Sequence, residues 1–348
     1  MDIEHDADIT HLGTLGTPAR ARMLVHAADE RTLAHAVAMA LRDGLPWFVL
    51  GGGSNVVLPE AFPGLVIRMA LRGVREITSA GEGVALAVAA GEPWHELVRR
   101  SLGAGLQGLE AMALIPGTVG AAPVQNIGAY GGELADVFVH ARVLHAASGE
   151  LETWSHARCA FRYRDSVFKG LGDSALITEV GLQLQRGAPP QARYPEVLAE
   201  LQRLGHAVPT PAQYAEAVIR VRRRKLPDVR RHGNVGSFFH NPLLLPAAAD
   251  ELCARWPELA RMRRDEQTPE GLRVKLPAAA LIERAGWKGR VDGPVEAWRR
   301  QPLVLVNRGG ARRADVLATA ARIQDDVRVR FGVLLQVEPR LAFPGLRA

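Results

Sequence analysis

Apolar residues recur with two different spacings along the chain, and each spacing predicts one type of element. Helical spacing over residues 30–43, between a capping Asp29 and Gly44, predicts an amphipathic helix, and the same spacing returns over 314–331. Short apolar runs predict buried strands at 46–50, 56–58, 65–67, 83–91, 176–180, 303–307 and 333–339. The polar and glycine-rich segments between these elements are the candidates for chemistry.

A glycine-rich turn joins the strands predicted at 46–50 and 56–58. Its sequence, GGGSN at residues 51–55, leaves consecutive backbone N–H groups free to converge on an anion, and Ser54 and Asn55 add side-chain donors. The alternative is an ordinary glycine hairpin loop. The turn is not a Rossmann fingerprint, because the third glycine and the following helix are both missing.

The stretch from 109 to 132 is dense in glycine and alanine yet still apolar. Small residues allow a backbone to pack against a flat ring, and the Gln125 and Asn126 amides offer donors and acceptors to the edge of a heterocycle. The alternative is a closely packed helix-to-loop segment. Together with the turn at 51–55, the composition favours a cofactor cradle.

Three polar side chains stand in settings that suit catalysis. Ser237 follows a glycine and precedes two phenylalanines that can anchor its loop, which suits a proton donor; the alternative is a loop between domains. Arg164 lies between Tyr163 and an aspartate, either as a planar fork for a substrate carboxylate or as half of a surface ion pair. Glu338 precedes a proline at a predicted strand end and is either a site carboxylate or a charged edge residue.

Composition and charge limit the class of protein. The 348 residues suffice for two or three domains, and 47% apolar with 23% charged residues is ordinary for a globular protein. The net charge of +6, with seven basic residues within 220–231, suits an anionic ligand such as a nucleotide, a diphosphate or a nucleic acid.

Several other classes are disfavoured. Cys159 and Cys253 form no CxxC pair, which argues against a disulfide framework or a zinc site and fits a reducing cytoplasm. The histidines show no metal-ligand spacing, so no metal is expected. The N-terminus lacks a signal pattern, and no apolar run approaches the ~20 residues of a membrane span, so membrane insertion is not expected.

The motifs follow one another in a characteristic order. They are GGGSN at 51–55, IPGTVG at 115–120 with QNIGAYG at 125–131, YRDS at 163–166, GNVGSFF at 233–239, and EP at 338–339. With this order and spacing, from about residue 10 onward, the chain resembles the UDP-N-acetylenolpyruvoylglucosamine reductases (UDP-N-acetylmuramate dehydrogenases), flavoenzymes of peptidoglycan precursor synthesis. It is most similar to the branch in which a tyrosine loop covers the substrate.

The resemblance implies an α+β fold of three parts. Residues 1–70, completed by a C-terminal strand within about 328–348, and residues 71–218, with the Tyr194 loop, would form a two-subdomain FAD-binding fold of the vanillyl-alcohol-oxidase (PCMH) type. Residues 219–327 would form an α+β substrate-binding domain. A cytoplasmic monomer is expected.

The resemblance also implies the reaction. NADPH reduces non-covalently bound FAD, and flavin N5 passes hydride to the enolpyruvyl group of UDP-N-acetylglucosamine enolpyruvate, which gives UDP-N-acetylmuramate. Ser237 would protonate the adjacent carbon, while Arg164 and a protonated Glu338 would stabilise the enolate. The implied FAD contacts are Gly51, Gly52, Gly53, Ser54, Asn55, Pro116, Gly117, Thr118, Gly120, Ala121, Gln125, Asn126, Gly128, Ala129 and Tyr130.

Four further residues are implied as substrate contacts. Tyr163 lies beside the catalytic arginine, Tyr194 would cover the diphosphate, and Lys225 and Asn241 would contact the UDP portion. The chain departs from the family pattern at Arg340, where an acid is common, which puts the surroundings of Glu338 in question. It departs also at residue 240, where a histidine replaces the usual basic residue, and at residue 118, where some members have a cysteine.

Two other functions are open on sequence grounds. A flavin oxidase of the same broad fold would use oxygen as acceptor, but it needs no carbon protonation and so leaves Ser237 and Arg164 unexplained. A basic nucleotide- or RNA-binding protein would need no catalysis, but the basic cluster lacks interleaved aromatic residues for base stacking. A nucleotide-sugar substrate, and not a nucleic acid, is therefore the expected partner.

Overall fold

The computed structural model describes residues 1–77, 83–187 and 194–342. Its strands are β1 (Glu4–Asp8), β2 (Arg20–Ala27), β3 (Trp47–Leu50), β4 (Val56–Val57), β5 (Ala61–Met69), β6 (Val74–Ile77), β7 (Gly83–Ala89), β8 (Leu106–Gln107), β9 (Gly128–Ala129), β10 (Gly132–Glu133), β11 (Phe138–His145), β12 (Leu151–Ser155), β13 (Ala175–Arg186), β14 (Leu243–Leu244), β15 (Arg264–Thr268), β16 (Gly271–Lys275), β17 (Val291–Asp292), β18 (Val295–Ala297), β19 (Leu305–Asn307) and β20 (Arg340–Leu341). Its α-helices are α1 (Glu30–Arg42), α2 (Trp94–Gly103), α3 (His156–Cys159), α4 (Val167–Leu171), α5 (Pro195–Arg203), α6 (Pro211–Lys225), α7 (Pro246–Arg255), α8 (Pro257–Ala260), α9 (Ala278–Arg284) and α10 (Arg313–Phe331).

The chain divides into two compact units. The first consists of Met1–Asp8, Arg20–Gly53 and Ala61–Arg224, and the second of Ile9–Ala19, Ser54–Glu60 and Lys225–Ala348. The three-part division from the sequence stays a prediction, and residues 343–348 of its C-terminal segment lie outside the described residues.

The first unit contains a sheet that places the glycine turn. Its strand order is β1-β2-β5-β3, with β5 parallel to both β2 and β3. Helix α1 packs Leu33 and Val37 against Leu65 and Ile67 on one face of this sheet. The predicted cap of α1 is confirmed, because the Asp29 carboxylate accepts a hydrogen bond from the Thr32 N–H. The turn at 51–55 begins directly after β3.

A second sheet completes the first unit. Its order is β12-β11-β13-β7-β6, and β8 also pairs with β13. The core beside it holds Trp94, Trp154, Phe168 and Tyr214, all nearly inaccessible to solvent. Tyr214 lies on α6, so the apolar face of the helix that carries the basic cluster is buried in this core.

The second unit is held together by Phe238, Phe239, Trp287 and the apolar face of α10. Its small sheets have the orders β14-β16-β15 and β17-β18-β19, and β20 pairs in parallel with β4. The strand predicted over 333–339 is wrong, because the strand starts only at Arg340. Side chains alternate between buried and exposed over 333–336 as in a strand. The backbone, however, forms isolated hydrogen bonds with Phe238, His240 and the Gln324 side chain instead of pairing along a strand.

Two features are absent from the described ranges. No helix among those residues is long and apolar enough to cross a membrane. No three His, Cys, Asp or Glu side chains gather there as ligands for a metal ion.

Candidate active site

In the first unit, the glycine turn packs backbone against backbone on the segment that starts at Pro116. A Cβ atom at Gly51 would lie 2.8 Å from Thr118 Oγ1, and one at Gly52 would lie 2.4 Å from Gly117 Cα. Real Cβ atoms do not approach so closely, so both positions require glycine. The two predicted cofactor segments, 65 residues apart in sequence, are therefore brought together.

The contact between these segments contains a polar atom without a protein partner. Thr118 Oγ1 is buried and makes no hydrogen bond to any described residue. A buried hydroxyl without a partner costs about 1–3 kcal/mol, so a ligand atom is its natural partner. The predicted contacts Gly120 and Ala121 follow in a short 3₁₀ turn, where a Cβ on Gly120 would lie 2.4 Å from Ala90 Cβ. Ser54 and Asn55 belong to the second unit.

The segment around Asn126 is fixed by its own side chain. The amide nitrogen donates to Glu133 Oε2 at 2.8 Å and to the Arg162 carbonyl at 3.2 Å, and the amide oxygen accepts from the Ala135 N–H at 3.0 Å. Asn126 and Tyr130 both have left-handed φ, at 42° and 50°. Asn126 therefore acts within the protein as a brace for the predicted flavin-lining segment, which favours a positioning role over direct contact through its amide. The neighbouring Gln125 is half-buried at the end of a 3₁₀ turn.

Arg164 is built onto this same segment. It stands at the tip of a tight turn closed by two hydrogen bonds between Arg162 and Asp165, at 3.0 and 3.2 Å, and its φ is 53°. Its Nη1 donates to the Asn126 carbonyl at 3.2 Å and its Nη2 donates to the Gly128 carbonyl. The backbone carbonyls of Asn126 and Gly128 thus hold the guanidinium in place. Arg164 forms no ion pair with a described residue, which argues against the surface-pair interpretation. Its role as a fork for a substrate carboxylate stays a prediction.

Tyrosine side chains of the first unit contact one another, and one of them contacts Arg164. The rings of Tyr130 and Tyr194 meet edge to face with centroids 5.1 Å apart, and the Tyr214 hydroxyl donates to the Tyr130 carbonyl at 3.3 Å. Burial raises the pKa of the Tyr130 hydroxyl, so the ring stays neutral. Tyr163 lies against the guanidinium of Arg164, 5.4 Å from its ring centroid to Cζ.

Sequence reasoning missed Arg222 as an individual residue. It was one member of the basic cluster on α6, yet its Nε is buried and no described residue accepts a hydrogen bond from it. Burial lowers the pKa of this guanidinium, the charge of Arg164 lowers it further, and Tyr130 opposes the shift. Arg164 and Arg222 are neighbouring cations that form no ion pair within the described part of the chain, an arrangement that suits an anion. Only tertiary packing distinguishes Arg222 from the exposed Arg223 and Arg224.

In the second unit, backbone hydrogen bonds place Ser237 beside the segment of Glu338. The Phe238 N–H donates to the Leu303 carbonyl at 2.7 Å, and the Phe238 carbonyl accepts from the Glu338 N–H at 3.0 Å. Phe238 and its successor are buried and pack edge to face, as the sequence predicted for anchors. The Ser237 hydroxyl makes no hydrogen bond within the described ranges. Ser237 and Glu338, 101 residues apart, are therefore close neighbours along paired backbones.

His240, which replaces the usual basic residue of the family, lies beside Glu338. The Glu338 side chain is 13% exposed, and its Oε2 lies 3.6 Å from His240 Nδ1. Arg340 is exposed at the start of β20, where its N–H donates to the Asn55 carbonyl at 3.0 Å.

The predicted substrate contacts of the second unit are held by defined elements. Asn241 Oδ1 accepts a hydrogen bond from the Ala278 N–H at 2.9 Å, which joins it to the first residue of α9. Lys225 ends α6, and its carbonyl accepts from the Trp298 indole at 3.0 Å. Buried neighbours thus fix the side chain of Asn241 and the backbone of Lys225.

Comparisons with known proteins agree with this arrangement. Residues 21–155 match the family described as FAD binding domain, and residues 228–342 match the C-terminal domain of UDP-N-acetylenolpyruvoylglucosamine reductase. The UDP-N-acetylenolpyruvoylglucosamine reductase of Pseudomonas aeruginosa is 44% identical over 98% of this chain and 99% of its own. The protein of that name from Paraburkholderia xenovorans is 47% identical over 94% of each chain.

A solved structure gives the same result for the fold. The crystal structure of UDP-N-acetylenolpyruvylglucosamine reductase from Thermus caldophilus superposes with a TM-score of 0.67 at 27% identity, over 98% of this chain and 99% of that one. The predicted α+β fold with an FAD-binding part is thereby confirmed. By identity over nearly its whole length and by fold, the chain belongs to the UDP-N-acetylenolpyruvoylglucosamine reductase family.

Proposed function

We propose that this chain is an NADPH- and FAD-dependent UDP-N-acetylmuramate dehydrogenase, which reduces the enolpyruvyl group of UDP-N-acetylglucosamine enolpyruvate in peptidoglycan precursor synthesis. The observation that carries the assignment of residues is the pairing of the Ser237 and Glu338 segments through the Phe238 carbonyl. Because Phe238 directly follows Ser237, this pairing places the backbone of Ser237 close to that of Glu338, whose side chain is 13% exposed. We propose that the two side chains act together on one substrate, as a donor pair that a binding protein does not need.

The residues of the first unit fit FAD. The glycine turn at Gly51 and Gly52 and the segment from Pro116 to Tyr130 would hold it, with the Thr118 hydroxyl as one donor. Bound FAD supplies the relay of hydride from NADPH to the terminal carbon of the enolpyruvyl group. The chain itself supplies binding, orientation and the second hydrogen.

Arg164 stabilises the charge that the reaction creates on the substrate. Addition of hydride to the terminal carbon leaves an electron pair that delocalises into the substrate carboxylate as an enolate. The Arg164 fork, already oriented by the Asn126 and Gly128 carbonyls, keeps donors for that oxygen without a search over rotamers. Glu338, in its protonated form, donates to the same group.

Ser237 completes the reduction by giving its proton to the adjacent carbon. One C–H bond forms from hydride and one from the proton, and the carbon–carbon double bond is lost. A serine hydroxyl is a weak acid in water, so its neighbours must stabilise the alkoxide that it becomes. Solvent then restores the serine proton.

The nucleotide part of the substrate is bound away from the reacting carbon. We assign Tyr194 and Tyr163 in the first unit, and Lys225 and Asn241 in the second, to contacts with the substrate. A diphosphate carries the negative charge that the net charge of +6 and the basic end of α6 favour. Arg222 belongs with these cations.

We further infer that the enzyme is a cytoplasmic monomer. Cys159 and Cys253 are both unpaired and buried, as a reducing compartment allows. Analytical ultracentrifugation of the holoenzyme tests the monomer, and fractionation of the cells that produce it tests the compartment.

The deciding experiment is anaerobic NADPH consumption by the purified holoenzyme, with and without UDP-N-acetylglucosamine enolpyruvate. We expect sustained turnover only when this substrate is present. A yellow protein that ignores the substrate but consumes oxygen would be the flavin oxidase instead. A colourless protein that cannot be reconstituted with FAD would contradict the assignment of both glycine segments.

A further inference from the structure

Arg68 carries a charge that the protein itself does not satisfy. It lies one residue before the end of β5, and its Nη1 is buried without a hydrogen bond to any described residue. Burial lowers the pKa of this guanidinium, and the nearby charge of Arg72 lowers it further. A buried donor without an acceptor is costly, and an arginine does not escape the cost by losing its proton.

No described carboxylate forms an ion pair with Arg68. Glu92, the buried acid of this region, lies 3.6 Å from Arg72 and accepts a hydrogen bond from the Gly73 N–H at 2.8 Å. The Glu92 carboxylate therefore interacts with Arg72 and with the backbone. The Arg68 guanidinium has no ion-pair partner among the described residues, so an anion from outside the chain is the missing partner.

The register of the sheet places Arg68 beside the start of the glycine turn. In the parallel pair of β3 and β5, Arg68 stands opposite Leu50, the residue that directly precedes Gly51. Alternate residues of a strand face opposite sides of a sheet, and Ile67 packs on α1. Arg68 therefore faces the side away from α1, at the same end of the sheet from which the turn departs.

The turn itself offers a second group in need of a ligand. The Thr118 hydroxyl, against which Gly51 packs, is also buried without a described partner. A guanidinium at the strand end beside the turn and a hydroxyl packed against the turn match phosphate oxygens, which accept hydrogen bonds from both.

We propose that Arg68 binds the diphosphate of FAD at the glycine turn, as a cationic contact additional to the backbone N–H groups. The proposal rests on FAD binding as set out under the proposed function. It differs from the sequence-based list of FAD contacts, none of which is charged.

The test uses Arg68→Met, which keeps the volume and removes the charge. Arg72→Met is the matched control, because Arg72 lies on the same stretch but its side chain is 57% exposed and paired with Glu92. Flavin is removed reversibly from each purified holoenzyme, and FAD binding is titrated by flavin fluorescence. We expect Arg68→Met to bind FAD about 10- to 100-fold more weakly, as for loss of a charge-assisted contact, and Arg72→Met to change less than about threefold.

Two further measurements separate a phosphate contact from a structural role. Riboflavin lacks the diphosphate, so we expect both variants to bind it as the wild type does. The melting temperature of flavin-free Arg68→Met should equal or exceed that of the wild type, because an unpaired buried charge has been removed. Unchanged FAD affinity would overturn the proposal, and so would parallel losses of FAD affinity, riboflavin affinity and apoprotein stability. None of these readouts depends on turnover, so the proposal can fail while the reductase assignment stands.

Discussion

At the residue scale, the proposed catalytic groups differ in how far the protein already uses them. Arg164 donates to two carbonyls, which fixes its orientation before any substrate arrives. The Ser237 hydroxyl, in contrast, makes no hydrogen bond to the described residues. A proton donor must be able to release its proton toward the substrate, and a hydroxyl already donating to a carbonyl would first have to break that bond. The difference fits the two roles.

Replacing Ser237 by alanine tests the proton transfer. We expect Ser237→Ala to keep reduction of FAD by NADPH and to lose its reoxidation by the enolpyruvyl substrate by ~2–4 orders of magnitude, the usual range for a positioned acid. Stopped-flow absorbance of the flavin measures the two half-reactions separately.

A second serine controls for loss of a hydroxyl as such. Ser101 is buried in α2, where its Oγ donates to the Leu97 carbonyl at 2.9 Å. Ser101→Ala should leave both half-reactions within about twofold. Normal reoxidation in Ser237→Ala would remove this serine from the mechanism.

Lys225 tests whether the basic end of α6 binds substrate. We expect Lys225→Ala to raise the KM for UDP-N-acetylglucosamine enolpyruvate about tenfold, the loss of roughly 1.4 kcal/mol from one charged contact, with kcat nearly unchanged. Arg223→Ala, an exposed neighbour on the same helix, should leave the KM unchanged. Equal KM values for both variants and the wild type would mean that this cluster is only a solvated surface.

At the scale of elements, the cofactor segments depend on close approach between backbones. The strand β3 ends where the turn begins, and the turn leaves no room for a side chain against Gly117 and Thr118. Adding a single Cβ atom therefore affects the whole turn, because a backbone cannot change rotamer to make room as a side chain can.

Gly52→Ala is the direct test of this packing. The new Cβ would lie 2.4 Å from Gly117 Cα, so we expect the turn to shift and the affinity for FAD to fall by at least tenfold. The titration of flavin fluorescence measures it. Gly170→Ala is the control, since a Cβ at this exposed position of α4 meets nothing within 4 Å. Equal FAD affinity in both variants would show that the turn is not part of the cofactor site.

At the scale of the whole molecule, the sequence predicted elements and motifs better than it predicted how they meet. The cap of α1, the helix over 314–331 and the strand after Gly44 follow from local periodicity, and the structure confirms them. The order of motifs led to the correct family and fold. These features depend on neighbours within a few positions or on patterns that survive without a structure.

Contacts between distant residues escaped prediction for a physical reason. Arg222 and Arg68 are ordinary arginines in sequence, and only the packing around them leaves their charges unpaired. The sequence predicts Asn126 as a ligand contact. In the structure its side-chain amide forms hydrogen bonds with Glu133, Arg162 and Ala135, which only tertiary folding brings together. A strand over 333–339 failed because alternation of side chains does not supply a partner strand.

Stability of the whole chain toward acid should decline in two separate stages. A hydrogen bond from Arg158 lowers the pKa of Glu152 from 4.5 to about 2, and one from Arg203 does the same for Glu200. The contribution of these two carboxylates to stability is therefore complete above pH 4.5 and is lost as the pH falls toward 2. His95 acts at higher pH. Burial lowers its pKa below 6.5, so the native state binds fewer protons than the unfolded state, and its contribution is complete above pH 6.5 and declines below it.

The decline between pH 7 and pH 5, which we assign to His95, has an identifiable structural cause that a single variant can remove. His95 Nδ1 accepts a hydrogen bond from the Leu114 N–H at 2.9 Å and so holds Leu114 at a left-handed φ of 62°, just before the segment that lines the cofactor site. A protonated imidazole cannot accept this bond, whereas a glutamine amide oxygen can at any pH. We expect the melting temperature of the wild type to fall between pH 7 and pH 5, and that of His95→Gln to stay nearly constant there, with both falling below pH 4.5. Parallel curves for the two proteins from pH 7 to pH 5 would place the neutral-range titration elsewhere in the chain.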